Sequence, residues 1–341
     1  MKNLSFVNKI IFLINNIFAL LFLASFVLPY IPPKSIPLLS VLSLSVPLLI
    51  FIHVLFILYW WLIGFKKQFF LSSFCILLAI SFSFFPYKFK EKNVISGNDI
   101  KVMNYNVRLF NRYQWIENKG IPKDVSSFVN QQELDILSIQ EFYPSKGLSF
   151  DFPYKYVEYK GKKKDFGQAI YSKYKIVNQG SLDFKGTSNN AIFIDIIKNT
   201  DTIRVYNLHF ESLGVQTKNV DLDNLDEKNS KKLINRLTSA FKKQQDQVEH
   251  FLNHKKDCNY KIIICGDFNN TAYSWAYHEV KNDFKDTFLE AGKGFGKTFM
   301  FNKYPLRIDF ILVDKKFSVN QHQNFNLKLS DHEPVLAKIS F

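Results

Sequence analysis

Acidic residues and arginine are missing from the first quarter of the chain. Residues 1–87 contain no Asp, Glu or Arg, and their only charged side chains are five lysines. A soluble domain covers its surface with charged and polar side chains, and this segment has too few of them to do so. Its composition is typical of a region embedded in a membrane.

Three apolar runs in this segment are predicted to be membrane-spanning helices. The hydrocarbon core of a bilayer is about 30 Å thick, and a helix needs about 20 mostly apolar residues to cross it. Residues 10–29, 36–65 and 69–87 supply such runs. The second is longer than one crossing needs and contains Pro47, so we predict one tilted or kinked helix there. Residues 1–87 are therefore predicted to form a transmembrane region of about three helices.

The first apolar run also resembles a secretory signal peptide, because Lys2 and Lys9 precede it. It has no convincing small-x-small cleavage site, and two further apolar runs follow, so we expect an uncleaved anchor. Two lysines before the first helix and only Lys34 after it favour a cytoplasmic N-terminus. Three crossings would then place the C-terminal part outside the cytoplasm of an integral membrane protein, in the inner membrane of a bacterium.

The pattern changes after a polar linker at residues 88–99. Short apolar runs of strand length alternate with polar turns, and two longer stretches, 124–132 and 231–253, show helical periodicity. Many strands with few helices predict an α+β domain over residues 100–341, with helices covering stacked sheets. The predicted strands are 100–105, 134–140, 168–172, 191–197, 203–208, 261–265, 308–313 and 335–339.

Residues capable of acid–base chemistry or ligand binding occur at the ends of these strands. Each one alone is typical of a turn or a helix cap. Together they indicate convergence on a ligand, because buried strands do not normally end in so many acids, amides and histidines. The set is Asn106, Glu141, His209, Asp267, Asn269, Asp309, Asp331 and His332.

Four short motifs in this set resemble those of the endonuclease/exonuclease/phosphatase superfamily, whose members share the fold of pancreatic deoxyribonuclease. They are Ile-Gln-Glu ending at 141, Gly-Asp-Phe-Asn at 266–269, Arg-Ile-Asp-Phe at 307–310 and Ser-Asp-His at 330–332. The resemblance covers residues 100–341. It implies a four-layered α/β sandwich with its site at the rim between two sheets, and metal-dependent hydrolysis of phosphoesters. His209, in Asn-Leu-His, is similar to the second histidine of deoxyribonuclease-like and sphingomyelinase-like members.

The chemistry of phosphoester hydrolysis assigns expected roles to these residues. Oxygen ligands suit Mg²⁺, with Mn²⁺ as an alternative ion, so we expect Glu141 and Asp331 to bind the metal, with Asn106 as a neutral donor or ligand. Asp267 is expected to orient and deprotonate the attacking water, and Asn269 to hold a phosphate oxygen.

His332 is expected to donate a hydrogen bond to the phosphate in the transition state. Asp309 would bind its other ring nitrogen and keep the ring protonated. In the alternative assignment, His332 is the base and Asp267 only assists it. His209 completes the expected catalytic set.

Three functions are compatible with the sequence. The first is a membrane-anchored, Mg²⁺-dependent phosphodiesterase or phosphatase acting on lipids or other phosphate esters. The second is a nuclease acting on extracytoplasmic DNA or RNA. It is favoured by the charge of +9 that residues 88–341 carry out of the chain's +14, but apart from residues 160–164 the lysines are scattered. The third, an inactive binding module, is disfavoured because every expected site residue is present. The expected partners are the substrate and the bilayer, and no protein partner is inferred.

Overall fold

The structure is a computed structural model that describes residues 4–64, 67–82, 84–94, 97–160, 166–214, 227–301 and 304–341. Residues 161–164, which belong to the basic stretch noted above, lie outside the described residues.

The N-terminal region is helical. Its α-helices are α1 (Phe6–Ser25), α2 (Pro37–Leu42), α3 (Val46–Leu62) and α4 (Phe69–Ser81). The predicted kink is present, because a short 3₁₀ turn, Ser43–Ser45, separates α2 from α3 just before Pro47. By length and composition, Phe6–Tyr30 and Pro37–Leu62 could each cross a membrane, whereas Phe69–Ser81 is shorter. The third crossing therefore stays a prediction.

These helices expose most of their apolar surface. Only 22% and 28% of the two longer apolar segments is buried, so neither resembles the core helix of a soluble protein. Tyr59 at the end of α3 donates a hydrogen bond to Asn8 at the start of α1, at 2.6 Å. The start of α1 and the end of α3 therefore lie side by side.

A buried polar cluster joins α1, α3 and α4. Asn15 donates to Ser72 at 2.8 Å, the Trp60 indole donates to Asn15 at 3.1 Å, and His53 Nδ1 lies 3.0 Å from the Ser72 hydroxyl. Hydrogen bonds of this kind between side chains are typical of packed membrane helices. His53 is thus a packing residue between helices in this structure.

The C-terminal part contains two six-stranded sheets. All eight predicted strands and both predicted helices are present. The strands are β1 (Ile100–Asn106), β2 (Ile136–Phe142), β3 (Tyr154–Lys160), β4 (Phe166–Ser172), β5 (Ile176–Ser181), β6 (Asn190–Lys198), β7 (Asp201–His209), β8 (Lys261–Asp267), β9 (Phe284–Asp286), β10 (Phe299–Phe301), β11 (Tyr304–Leu306), β12 (Asp309–Asp314), β13 (Ser318–Asn324) and β14 (Val335–Ser340), and the helices are α5 (Ile121–Gln131), α6 (Glu227–Lys255), α7 (Trp275–Lys281) and α8 (Thr287–Ala291). The first sheet has the order β13-β14-β1-β2-β4-β3 and the second β5-β6-β7-β8-β12-β9, and a separate hairpin pairs β10 with β11.

Alternating side chains on the strands build the four predicted layers. On β8, Ile263 and Cys265 point into the core between the two sheets, whereas Ile262 and Ile264 pack with α6 and α7. On β1, Val102 faces the same central core, and Met103 packs with α5 on the other side. The order is therefore α5, first sheet, second sheet, then α6 with α7. The predicted α+β sandwich is confirmed.

Four buried amide side chains connect the two sheets beneath one rim of this core. Gln140 donates to Asn104 and to Asn207, both at 2.7 Å, and Gln168 donates to Asn207 at 2.9 Å. Asn207 in turn donates to the main-chain carbonyl groups of Ile139 and Ala169, at 2.8 and 3.1 Å. Buried polar groups of this kind are stable only when their partners are in place. The network therefore fixes how the sheets meet at this rim.

Candidate active site

Strand alternation delivers four of the predicted residues to this rim. Asn106, His209, Asp267 and Asp309 continue the inward-facing rows of β1, β7, β8 and β12, where each row emerges from the apolar core. Within the second sheet, His209 pairs with Asp267, and Asp267 pairs with Asp309 on the next strand. Opposed residues on adjacent strands are neighbours, so these three side chains are placed together by register alone.

Glu141 reaches the site through a backbone irregularity. Regular alternation on β2 would place it on the outer face with Leu137 and Ile139, which pack with α5. The pairing of β2 with β4 instead shifts register between Ile139 and Phe142, and Glu141 has φ of 51°. Bulges of this kind commonly redirect a side chain next to an active site. The left-handed backbone conformation at Glu141 is therefore part of how the site is built.

Asp331 and His332 come from the turn before β14. The Ser330 hydroxyl donates to the Asn106 carbonyl oxygen at 2.9 Å and accepts from the His332 N–H at 3.3 Å. These bonds hold the turn against the end of β1. The Ser-Asp-His motif is thus fixed over the residues that the strands deliver.

Asp267 lies at the centre of the cluster and is fully buried. Its carboxylate accepts from Asn106 Nδ2 at 2.9 Å and from the Asn269 N–H at 2.7 Å, and the Nε2 atoms of His209 and His332 lie 3.7 and 3.8 Å away. Burial, and then the charge of Asp309, raise the pKa of Asp267 from 3.8 to about 6. This carboxylate can therefore exchange a proton close to neutral pH.

His332 is paired with Asp309. Its Nδ1 lies 2.9 Å from Asp309 Oδ2, and the ring of Phe299 lies 4.9 Å from the imidazole. Burial lowers the pKa of His332, but the carboxylates of Asp309 and Asp267 outweigh burial and hold the pKa well above 6.5. A protonated imidazole can donate a hydrogen bond but cannot accept a proton. This geometry favours His332 as the donor over the alternative in which it is the base.

The two histidines of the site differ in charge. Burial lowers the pKa of His209, although the Asp267 carboxylate opposes that effect. His209 is therefore neutral at neutral pH, while His332 is protonated. Environments that separate the pKa values of two like groups are typical of acid–base sites.

Asn269 has a left-handed backbone, with φ of 50°. Its Nδ2 donates to the Phe210 carbonyl at 3.0 Å, and its main-chain N–H is bound to Asp267. One hydrogen of the side-chain amide is thus used within the protein, and the side chain is held beside the Asp267 carboxylate.

Two groups of ligands could hold a metal ion. In the predicted group, Asn106 Nδ2 lies 3.4 Å from Glu141 Oε1, and burial together with the charge of Asp331 raises the pKa of Glu141. A desolvated carboxylate close to a second carboxylate fits a divalent cation, which would relieve both penalties. Among the described residues, atoms of Asp267, Asp309 and His332 also lie within 4.8 Å of one another.

The hydrogen bonds favour the predicted group. In the second group, His332 is already bound to Asp309 by a short charge-assisted bond, and Mg²⁺ prefers oxygen ligands. Asn106 serves as a donor here, because its Oδ1 accepts from the Arg108 N–H at 3.1 Å.

Arg108 is a residue of the site that the sequence analysis missed. Its guanidinium Nη1 lies 2.9 Å from Asp331 Oδ2, and it stacks on the Trp115 ring at 4.2 Å. Residues 108–111 all have positive φ, between 43° and 61°, which is strained for residues other than glycine. The sequence contained one indication of this role: Arg108 follows Asn106 by two residues, which places the arginine beside the end of β1. All eight predicted residues lie along this one rim.

Comparisons with known proteins agree with this architecture. Residues 103–332 match the model of the Endonuclease/Exonuclease/phosphatase family, and residues 8–85 match that of a domain of unknown function. No curated protein matches the chain.

Three solved structures illustrate the likeness in fold. An endonuclease/exonuclease/phosphatase from Bacteroides vulgatus is 20% identical with a TM-score of 0.53, over 71% of this chain and 99% of that one. The human Nocturnin catalytic domain with bound sulfate anion is 17% identical with a TM-score of 0.51, over 75% and 97%. D. rerio TDP2 complexed with single strand DNA product is 14% identical with a TM-score of 0.52, over 71% and 99%.

The pairing of Asp309 with His332 predicts that the two residues act as one unit. Asp309→Asn and His332→Ala should each reduce kcat by about 10²- to 10³-fold, the value of one transition-state donor. The double variant should lose little more than the worse single variant.

Asp309→Asn should also lower the pKa of His332, so the alkaline decline in activity should move to lower pH. Steady-state rates against pH measure both effects. A double variant that shows the full product of the two losses would mean that the residues act independently.

Proposed function

The chain belongs to the endonuclease/exonuclease/phosphatase family, whose members are metal-dependent phosphoric ester hydrolases, and on this premise we propose that it is a membrane-anchored, Mg²⁺-dependent phosphodiesterase or phosphatase. The observation that carries the proposal is the position of the Asp267 carboxylate beside His332, whose Nδ1 lies 2.9 Å from a second carboxylate, Asp309 Oδ2. Asp267 has a pKa raised to about 6, and His332, with Nε2 3.8 Å from it, has a pKa raised well above 6.5. One group can take a proton and the other can donate a hydrogen bond at neutral pH.

Asp267 is the proposed base that orients and deprotonates the attacking water. A pKa near the working pH suits a base, because an ionised fraction is present and the group still accepts protons effectively. The bonds from Asn106 and from the Asn269 N–H hold the carboxylate in one orientation. His209 is a second, neutral histidine near the carboxylate, with its Nε2 3.7 Å from the same oxygen that His332 approaches.

His332 is the proposed donor to the phosphate oxygen on which negative charge develops. Its Nδ1 is bound to Asp309, so the remaining N–H, on Nε2, points toward Asp267 and the space in front of it. A donor fixed before the reaction stabilises the transition state without reorganisation. Asn269 is proposed to hold a second phosphate oxygen with its remaining amide hydrogen.

Glu141 and Asp331 are the residues proposed to bind Mg²⁺, with Asn106 beside Glu141 as a neutral hydrogen-bond donor. When bound, this ion neutralises charge on the phosphoryl oxygens and lowers the pKa of bound water. The protein's own contribution is to fix these side chains: the bulge aims Glu141, and Arg108 and Ser330 hold Asp331, at 2.9 and 3.3 Å.

A nuclease is the second candidate, and one observation favours it. Tyr113 and Trp115 are 63% and 39% exposed and contact each other edge to face at 5.3 Å, beside Arg108. Exposed aromatic rings beside arginine are a common platform for nucleic-acid bases. This platform was not recognised in the sequence.

Membrane anchoring and orientation are proposed from the N-terminal region. Residues 6–30 and 37–62 could cross a bilayer, and the lysines around α1 favour a cytoplasmic N-terminus. With three crossings the catalytic domain lies outside the cytoplasm. A reporter active only outside the cytoplasm, fused after Phe341, should give signal. If the fusion is stable and silent, while a cytoplasmic reporter at the same position is active, the orientation is reversed.

The metal assignment is tested by Glu141→Gln. The amide keeps the size of the side chain but removes its charge. Loss of a residue that only hydrogen-bonds a metal ligand costs roughly 10- to 100-fold in activity or metal affinity, so loss of the ligand itself should lower activity at limiting Mg²⁺ by at least as much. Hydrolysis of a soluble phosphodiester against Mg²⁺ concentration measures this effect. Glu133→Gln, at the opposite end of β2 and exposed, is the matched control. Full activity of Glu141→Gln at limiting Mg²⁺ would refute the assignment, and a wild-type enzyme without metal-dependent hydrolysis would refute the proposed function.

A further inference from the structure

The catalytic domain docks against one end of the membrane helices. Tyr273 donates to the Phe84 carbonyl at 3.0 Å and is buried among residues of α1, α3 and α4. The Lys34 N–H donates to Gln245 on α6 at 2.8 Å, and the Lys34 ammonium pairs with Asp246 on the same helix. Aromatic burial and hydrogen bonds thus hold the domain in one position at this junction, which we call the seam.

A cavity of about 450 Å³ lies in the seam. This volume falls within the roughly 300–1,000 Å³ of typical small-ligand sites. One wall belongs to the membrane region and the other to the catalytic domain. The walls include Pro47, Phe51, Phe84 and Phe85 on one side, and Tyr273 and Leu289 on the other.

The lining is mainly apolar, with charge on the catalytic side only. Lys297 lines the cavity and pairs with Glu333 at 2.5 Å, and Arg307 lines it and pairs with Asp286 at 2.6 Å. The wall from the membrane region contributes only apolar residues. The cavity therefore offers an apolar surface on the side of the N-terminal helices and two ion-paired cations on the side of the catalytic domain.

The same loops form this cavity and the catalytic rim. Arg307 precedes Asp309 by two residues, and Thr271, also in the lining, follows Asn269 by two residues. Two residues span at most about 7 Å of extended chain. Phe299, two residues after Lys297, contacts the His332 ring. Residues that line the cavity thus lie two positions along the chain from residues of the proposed site.

We propose that the seam cavity binds an acyl chain of a membrane lipid, and that the substrate is a phosphate ester of such a lipid. This inference rests on the proposed function and narrows it to one substrate class. Such a lipid is apolar at one end and carries its phosphate at the other, which matches an apolar cavity formed by the same loops as the catalytic rim. Burial of the acyl chain supplies binding energy away from the phosphate, and that energy can be used to position the phosphate for reaction.

The location of the cavity favours a bilayer lipid over a soluble apolar ligand. Phe51 is 57% exposed on α3, a part of the chain that could cross a membrane, and it also lines the cavity. In a bilayer this ring would contact acyl chains directly. Lipid would therefore be the apolar molecule present at highest concentration at the cavity mouth, and a chain could enter without passing through water.

The first test locates the chain by covalent labelling, which does not depend on activity. The full-length protein is reconstituted in phosphatidylcholine vesicles that contain phosphatidylglycerol with a photoactivatable diazirine in one acyl chain. Labelled peptides should include residues 271–273 and 288–289.

Leu289→Trp, which fills the cavity, should reduce this labelling about tenfold, the equivalent of roughly two buried methylene groups. Leu58→Trp is the matched control, since Leu58 is 47% exposed on α3 and does not line the cavity. Labelling confined to the outer surfaces of α1, α3 and α4, or equal in the two variants, would overturn the proposal.

The second test compares substrates in the same vesicles with Mg²⁺. Phosphatidic acid, phosphatidylglycerol and sphingomyelin are each paired with a water-soluble counterpart that has the same phosphate ester and no long chain. Leu289→Trp should lower kcat/KM on the hydrolysed lipid about tenfold or more and leave the soluble ester within about twofold of wild type. Wild-type hydrolysis of soluble esters alone would refute the lipid substrate while the proposed function stands. Hydrolysis of neither class would refute the proposed function, and the labelling would still decide whether the cavity takes an acyl chain.

Discussion

The buried carboxylate of Asp267 is the constraint on which the site depends. An ionised carboxylate away from water is costly unless hydrogen-bond donors and positive charge surround it. The fold supplies these from four separate segments: Asn106 from β1, His209 from β7, the Asn269 N–H, and His332 from the turn before β14. These four partners are far apart in the sequence. The carboxylate is therefore satisfied only when both sheets and the final turn are in register, and the same register creates the pair of groups proposed to carry out acid–base chemistry.

Period-two alternation explains how much of this could be predicted. The apolar residues of β1, β7, β8 and β12 identify the strands, and the polar residue at the end of each inward row identifies the rim. What could not be predicted depends on contacts between distant segments. Glu141 needs a bulge to face the site, and Arg108 needs a left-handed turn. Edge strands such as β3 and β5 contain no buried residue and mix polar with apolar side chains, so their sequences lack the apolar signal of the central strands.

The contacts between the N-terminal helices and the catalytic domain could not be predicted from the sequence either. Low charge in residues 1–87 predicts a membrane region, but nothing in the sequence shows that Tyr273 binds the Phe84 carbonyl or that Lys34 binds α6. These contacts make the N-terminal helical region part of the surface beside the catalytic rim. In this account the anchor does more than hold the enzyme at the bilayer, because its residues form one wall of the cavity proposed to take the lipid chain.

The most direct measurement of the central claim is hydrolysis by the purified full-length protein in vesicles, with Mg²⁺ and with EDTA. The panel would contain duplex DNA, RNA, inositol phosphates and phosphate-ester lipids including sphingomyelin. The account predicts release of product from a lipid phosphate ester in Mg²⁺, abolished by EDTA and restored by added Mg²⁺. Hydrolysis of DNA or RNA alone would favour the nuclease and contradict the lipid assignment. No metal-dependent hydrolysis of any substrate in the panel would contradict the account as a whole.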